Sequence, residues 1–235
     1  MYQASTLKQT IGIPYYANLI CNTLGLDSAE HCFDKKHYKS YPEVSYLFNE
    51  LGFRFDLSTL TERPILAVGD SFTLGLGVNV EDTWPSVLGQ LLNTTVLNFS
   101  LNGASNDWIV RKTQDLLKFF NPRAIVVHYT FSHRRELASA DWHDDERTEC
   151  NPLYTANENF KNWQENFNII SSLNVPVVHS FIPNWHELSV DYTTLSGQII
   201  PPITMIDRAR DGFHYGVQSN KHLAQQISTN LLAVV

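Results

Sequence analysis

The sequence has 235 residues, 43% of them hydrophobic and 17% charged, with a formal net charge of −7. That length fits one domain able to bury a single substantial core, and the acidic balance disfavours a nonspecific binder of nucleic-acid phosphates. No apolar run approaches the roughly 20 residues that span a bilayer, and the opening "MYQASTLKQTIGIPYYANLI" lacks the basic start and compact apolar core of a cleaved signal, so a soluble, cytoplasmic protein is expected.

Residues 1–60 are rich in Tyr, Asn and His. They are expected to add a helix and loops packed on the domain formed by residues 61–235, or else to form a lid or a partner surface. The three cysteines, Cys21, Cys32 and Cys150, are an odd number without a C-x-x-C pair, which points to free, buried thiols and to no zinc site. A Cys21–Cys32 bridge stays open for an oxidising compartment. Asp34 and His37, in "DKKH" beside lysines, read as solvated surface.

From "PILAVGD" onward, short apolar runs alternate with longer amphipathic ones, the pattern of an α/β fold with a parallel sheet. Strands are expected at 65–68, 95–100, 124–129 and 175–181, their β-branched content suiting burial on both faces. In "TWPSVLGQLLN" Thr83 is placed to cap a helix with Pro85 in its first turn. "NDWIVRKTQDLLKFF" predicts a helix running up to Pro122. Residues 154–173 read as a further helix with Phe160, Trp163, Phe167 and Ile170 as a core stripe, and 217–233 as a last one. The segment 133–152 reads as a charged surface loop or short helix, and its "DWHDDE" (141–146) as a solvated acidic loop with no metal site.

"ILAVGDSFTLGLGV" (65–78) places Ser71 just past a strand end, at the carboxyl edge where open α/β sheets hold ligands. If a helix starts there, its N–H groups face whatever binds the serine oxygen. The alternative is that Asp70 and Ser71 only cap that helix. A serine needs a base to take its proton. Among nine histidines, two follow an Asp by three residues, and spacing alone does not choose between them. Position favours "DGFH": Asp211 and His214 lie in a turn after the last predicted strand, where a carboxylate could hold Nδ1–H and leave Nε2 to face a serine. In "NFSLNGASND" (98–107) Gly103 could present its backbone N–H at a neighbouring strand exit, or Asn102 and Gly103 could form an ordinary turn.

In this order, "GDSFTLGLG", "NFSLNGASND" and "DGFH" resemble blocks of the SGNH family, also called GDSL-type esterases and lipases, over residues 64–226. The resemblance implies a three-layer α/β/α sandwich around a parallel sheet. It implies Ser71 as nucleophile, Asp211 and His214 as its partners, the Ser71 and Gly103 amides as oxyanion donors, and neither metal nor cofactor. The third block departs from the family's Gly-x-Asn-Asp: "VVHYTFSHRRE" puts Ser132 where the asparagine is expected, with Thr130 and His133 nearby. Losing one such donor costs about 3–4 kcal/mol, roughly 100- to 1000-fold in rate. His133 or Arg134 could then act on substrate, although "SHRRE" also fits a capped, salt-bridged helix start. Asp70 is expected to hydrogen-bond its own loop. The implied function is hydrolysis of a carboxylic ester, with a small acyl or O-acetyl-carbohydrate ester preferred. The alternatives are a binding protein with weakened catalysis or an acyltransferase using the same triad.

Overall fold

A computed structural model of the chain describes residues 4–136, 154–183 and 190–232. In chain order its elements are α1 (Ala4–Ile11), β1 (Ile20–Cys21), α2 (Lys35–Ser40), β2 (Tyr46–Leu47), β3 (Ile65–Gly69), α3 (Ser71–Leu74) and α4 (Trp84–Leu92). They continue with β4 (Val96–Ser100), α5 (Asn106–Leu116), β5 (Ala124–Tyr129), α6 (Ala156–Ser171), β6 (Val177–Phe181), β7 (Gln198–Ile200) and α7 (Val217–Leu232).

The five later strands form one parallel sheet in the order β4-β3-β5-β6-β7. β3 and β5 are buried along their whole length, as expected for strands covered on both sides. Two pairs of helices do the covering: α4 packs on α7 and α5 on α6, giving an α/β/α sandwich. Gly69 lies opposite Ser100 on one side and His128 on the other, and His128 opposite Ser180. The carboxyl ends of these strands are therefore level. The chain runs from β3 to β4, then crosses back to β5, so the strand order reverses between β3 and β5. That is the point at which open α/β sheets leave a crevice.

Local chemistry departs from the sequence reading in several places. Thr83 is the N-cap residue of α4 with Pro85 in its first turn, but its side chain makes no capping bond. Its hydroxyl donates to the Val80 carbonyl at 2.8 Å, while the Trp84 N–H is taken by Asn220 Oδ1 of α7 at 2.8 Å. α5 ends at Leu116, well before Pro122, because its last turn tightens into bonds from Lys118 N to Asp115 O and from Phe119 N to Leu116 O. The strand β7, with only Ile199 and Ile200 apolar, is too short to leave a periodic signal. At α6, Thr155 and Glu158 form a reciprocal capping box.

Residues 4–60 contribute α1, α2 and an antiparallel ribbon of β1 with β2. Ile11, Ile13, Tyr46, Leu51 and Phe53 share one core with Ile65, Phe99 and Trp108, and Phe53 meets Phe99 edge-on at 4.8 Å. Cys21 and Cys32 are both free, Cys32 buried and Cys21 only half-buried. Cys150 and the acidic run 141–146 lie outside the described residues. Among the described residues no helix is long and apolar enough to cross a membrane.

Candidate active site

Two residues past the level strand ends, β3 delivers Ser71 to the β3/β5 crevice. Asp70 caps α3, its Oδ1 accepting from Phe72 N at 2.9 Å. Capping falls to the acid and leaves the Ser71 hydroxyl available. That hydroxyl lies 2.8 Å from His214 Nε2, with Ser71 and His214 only 3% and 2% exposed. His214 Nδ1 lies 2.5 Å from Asp211 Oδ2, so Nδ1–H donates to the carboxylate and Nε2 is left to accept the Ser71 O–H.

Asp211 divides its two oxygens. Oδ1 accepts the backbone N–H groups of Phe213 at 2.9 Å and His214 at 3.0 Å, while Oδ2 meets the imidazole. One oxygen thus shapes the turn that aims the ring and the other sets its tautomer. Burial pushes the Asp211 carboxyl upward, but His214 and the two amides outweigh it and hold it below the usual carboxylate range. Phe72, ring centroid 4.5 Å from the imidazole, packs the ring in place.

Gly103, in the turn after β4, has φ +82°, and a Cβ built there would meet nothing within 4 Å. The turn therefore presents an open face beside the β3 exit. In the next residues Ser105 caps α5 through Trp108 N at 3.0 Å. Asn106 ties the β4 and β5 exits together, accepting from Thr130 N and donating to Thr130 O, both at 3.1 Å.

Ser132 is buried in the turn after β5; among the described residues no hydrogen bond joins it to Ser71 or His214. Arg134 is not placed as a free substrate-facing cation. Its Nη1 donates to Asp70 Oδ2 at 2.9 Å, and Thr130 Oγ1 donates to the same oxygen at 2.6 Å. A fully buried carboxylate demands such a partner, and Arg134 supplies it. Asp70 therefore bonds beyond its own loop. His133 stacks on Phe131 at 5.3 Å between centroids.

Of the second Asp-x-x-His, Asp34 is exposed and caps α2 through Lys36 N and His37 N. His37 is not simply solvated surface: its Nε2 donates to Ala209 O at 3.0 Å, on the loop that carries Asp211. Sequence reasoning also missed Asp27, Tyr46, Arg54 and Arg210, which surround this loop and the nucleophile turn. The one local sign was Arg210 directly preceding Asp211. No group of three or more potential metal ligands occurs among the described residues.

No protein-family model matches the chain, and no curated protein matches it. Solved structures do. A G-D-S-L family protein from Desulfitobacterium hafniense DCB-2 superposes with a TM-score of 0.51 at 15% identity, covering 71% of this chain and 98% of that one. A carbohydrate esterase family 2 enzyme with a carbohydrate-binding domain, from Corynascus thermopiles (Myceliophthora fergusii), gives 0.52 at 11% identity over 77% of this chain and 69% of that one. TesA gives 0.51 at 16% identity over 74% and 100%. The chain thus has the fold of the SGNH/GDSL hydrolases.

Proposed function

We propose that the chain is a serine hydrolase of carboxylic esters. The observation that carries this reading is the unbroken hydrogen-bonded path from Ser71 Oγ through His214 to Asp211, with contacts of 2.8 and 2.5 Å, at the crevice of an SGNH-type sheet. In the proposed reaction Ser71 Oγ attacks the acyl carbon while its proton passes to His214 Nε2, and the carbonyl electron pair moves onto oxygen. The backbone N–H groups of Ser71 and Gly103 stabilise that oxyanion, with the Ser132 hydroxyl as third donor. Collapse expels the alcohol, which takes the proton from His214. Water then gives a proton to His214 and attacks the acyl-serine, and a second collapse releases the acid and restores Ser71. Asp211 remains a carboxylate throughout and stabilises the imidazolium.

The near-complete burial of Ser71 favours a small acyl group, and the shared fold with a carbohydrate esterase supports an O-acetyl sugar as the natural ester. The test is hydrolysis of p-nitrophenyl acetate and of an acetylated oligosaccharide. Ser71→Ala and His214→Ala are each expected to lower kcat by at least about 10⁴-fold, and Ser132→Ala by about 100-fold. Turnover unaffected by Ser71→Ala would contradict the reading. Transfer to an added alcohol in preference to water would make it an acyltransferase.

A further inference from the structure

Arg210 precedes Asp211 and is itself buried. Its Nε donates to Asp27 Oδ1 at 2.8 Å and its Nη2 to Asp27 Oδ2 at 2.6 Å, and Nη2 also donates to the Asn22 carbonyl. Asp27, fully buried, receives a second donor, the Tyr46 hydroxyl, at 2.5 Å. That hydroxyl in turn accepts from Gly77 N at 2.7 Å. Gly77 O accepts from Arg210 N at 3.1 Å, which closes a ring: Arg210, Asp27, Tyr46, Gly77 and back to Arg210.

The ring joins the two halves of the site. Gly77 ends the turn that follows α3 and the nucleophile, and Arg210 begins the loop that carries Asp211 and His214. Their backbones touch so closely that a Cβ on Gly77, where φ is +79°, would lie 2.8 Å from Ala209 Cβ and 3.0 Å from Arg210 N. Both Asp27 and Tyr46 come from the N-terminal 60 residues, outside the stretch that resembles the family. From the same region Phe33 N donates to Asp211 O at 2.8 Å and His37 holds Ala209 O. A buried ion pair seldom adds net stability over an apolar pair of equal volume. What it does add, through two directional bonds at each end, is a fixed geometry.

Building on the hydrolase reading above, we propose that Asp27 is a positioning residue for the reaction: through Arg210 on one side and Tyr46–Gly77 on the other, it sets the separation between the Ser71 turn and the Asp211–His214 loop. Displacing reacting groups by about 1 Å can cost about 100-fold in rate. The loss belongs in kcat, because Asp27 touches no substrate.

The experiment compares wild type, Ser71→Ala, Asp27→Asn and the double variant Asp27→Leu/Arg210→Met for p-nitrophenyl acetate hydrolysis, with melting temperatures measured alongside. The double variant keeps the core filled and leaves no unpaired buried charge, the main cost that Asp27→Asn would carry. The expected result is a kcat about 10- to 100-fold below wild type in the folded double variant, with KM within about threefold. A double variant that melts like wild type and keeps wild-type kcat overturns the positioning role alone. An equal fall in apparent affinity with kcat unchanged also overturns it. Wild-type protein with no turnover beyond Ser71→Ala overturns the hydrolase reading and this inference together.

Discussion

His128 and His179 are buried imidazoles that take no part in the Ser71–His214 hydrogen bond, and burial pushes each down to about 4. In the unfolded chain such a side chain titrates near 6.5. Between these values the unfolded state binds protons that the folded state refuses, so stability falls as pH drops from about 6.5 toward 4 and is fully present above that window. At about 1.4 kcal/mol per pH unit, each histidine removes on the order of 2 kcal/mol by pH 5. Asp211, held low, contributes stability above the ordinary carboxylate range and loses it only as pH falls through its own lower value, outside this window. Urea denaturation at pH 7 and pH 5 is expected to show a clear drop in midpoint, and His128→Gln to remove roughly half of its pH dependence. A midpoint unchanged between these pH values would contradict the assignment.

Elements near the site depend on partners distant in sequence. α3 is a single turn, too short to hold itself, and lies between two anchors. Asp70 caps its start. At its end the buried Arg54 guanidinium donates to Leu74 O at 3.0 Å, Gly75 O at 2.9 Å and Val78 O at 3.2 Å, and reaches back to Ser45 O at 3.1 Å. Burial lowers Arg54 to about 10, so it stays charged at neutral pH and its hydrogen bonds are charge-assisted. Arg54→Met would strand several buried carbonyls and is expected to cost about 3 kcal/mol or more by urea denaturation at pH 7. A loss under about 1 kcal/mol would show that these bonds do not hold the turn. No local pattern marks Arg54, because its acceptors lie 20 or more residues away on three of its four bonds. The helices and buried strands were legible for the opposite reason: each is a contiguous periodic run. The end of α5 shows where that legibility stops, since a tightened last turn overrides local preference.

For the molecule as a whole, the parallel sheet followed from the alternation of strand and helix signals, and its three layers from the family resemblance. The positions of Ser71 and His214 were legible because each sits in a short motif beside a turn. What joins those motifs was not. The Asp27–Arg210 pair spans 183 positions, and Arg134 in "SHRRE" looks free to meet substrate until the buried Asp70 beside it is placed. The N-terminal 60 residues carried little periodic signal because their short ribbon and turns are held by contacts to the later chain. The most direct measurement of the central claim is the mass of the tryptic peptide containing Ser71 after treatment with a fluorophosphonate. A single covalent phosphonyl adduct on Ser71, lost in His214→Ala, is expected; an unmodified Ser71, or labelling indifferent to His214, would contradict a working Ser71–His214–Asp211 triad.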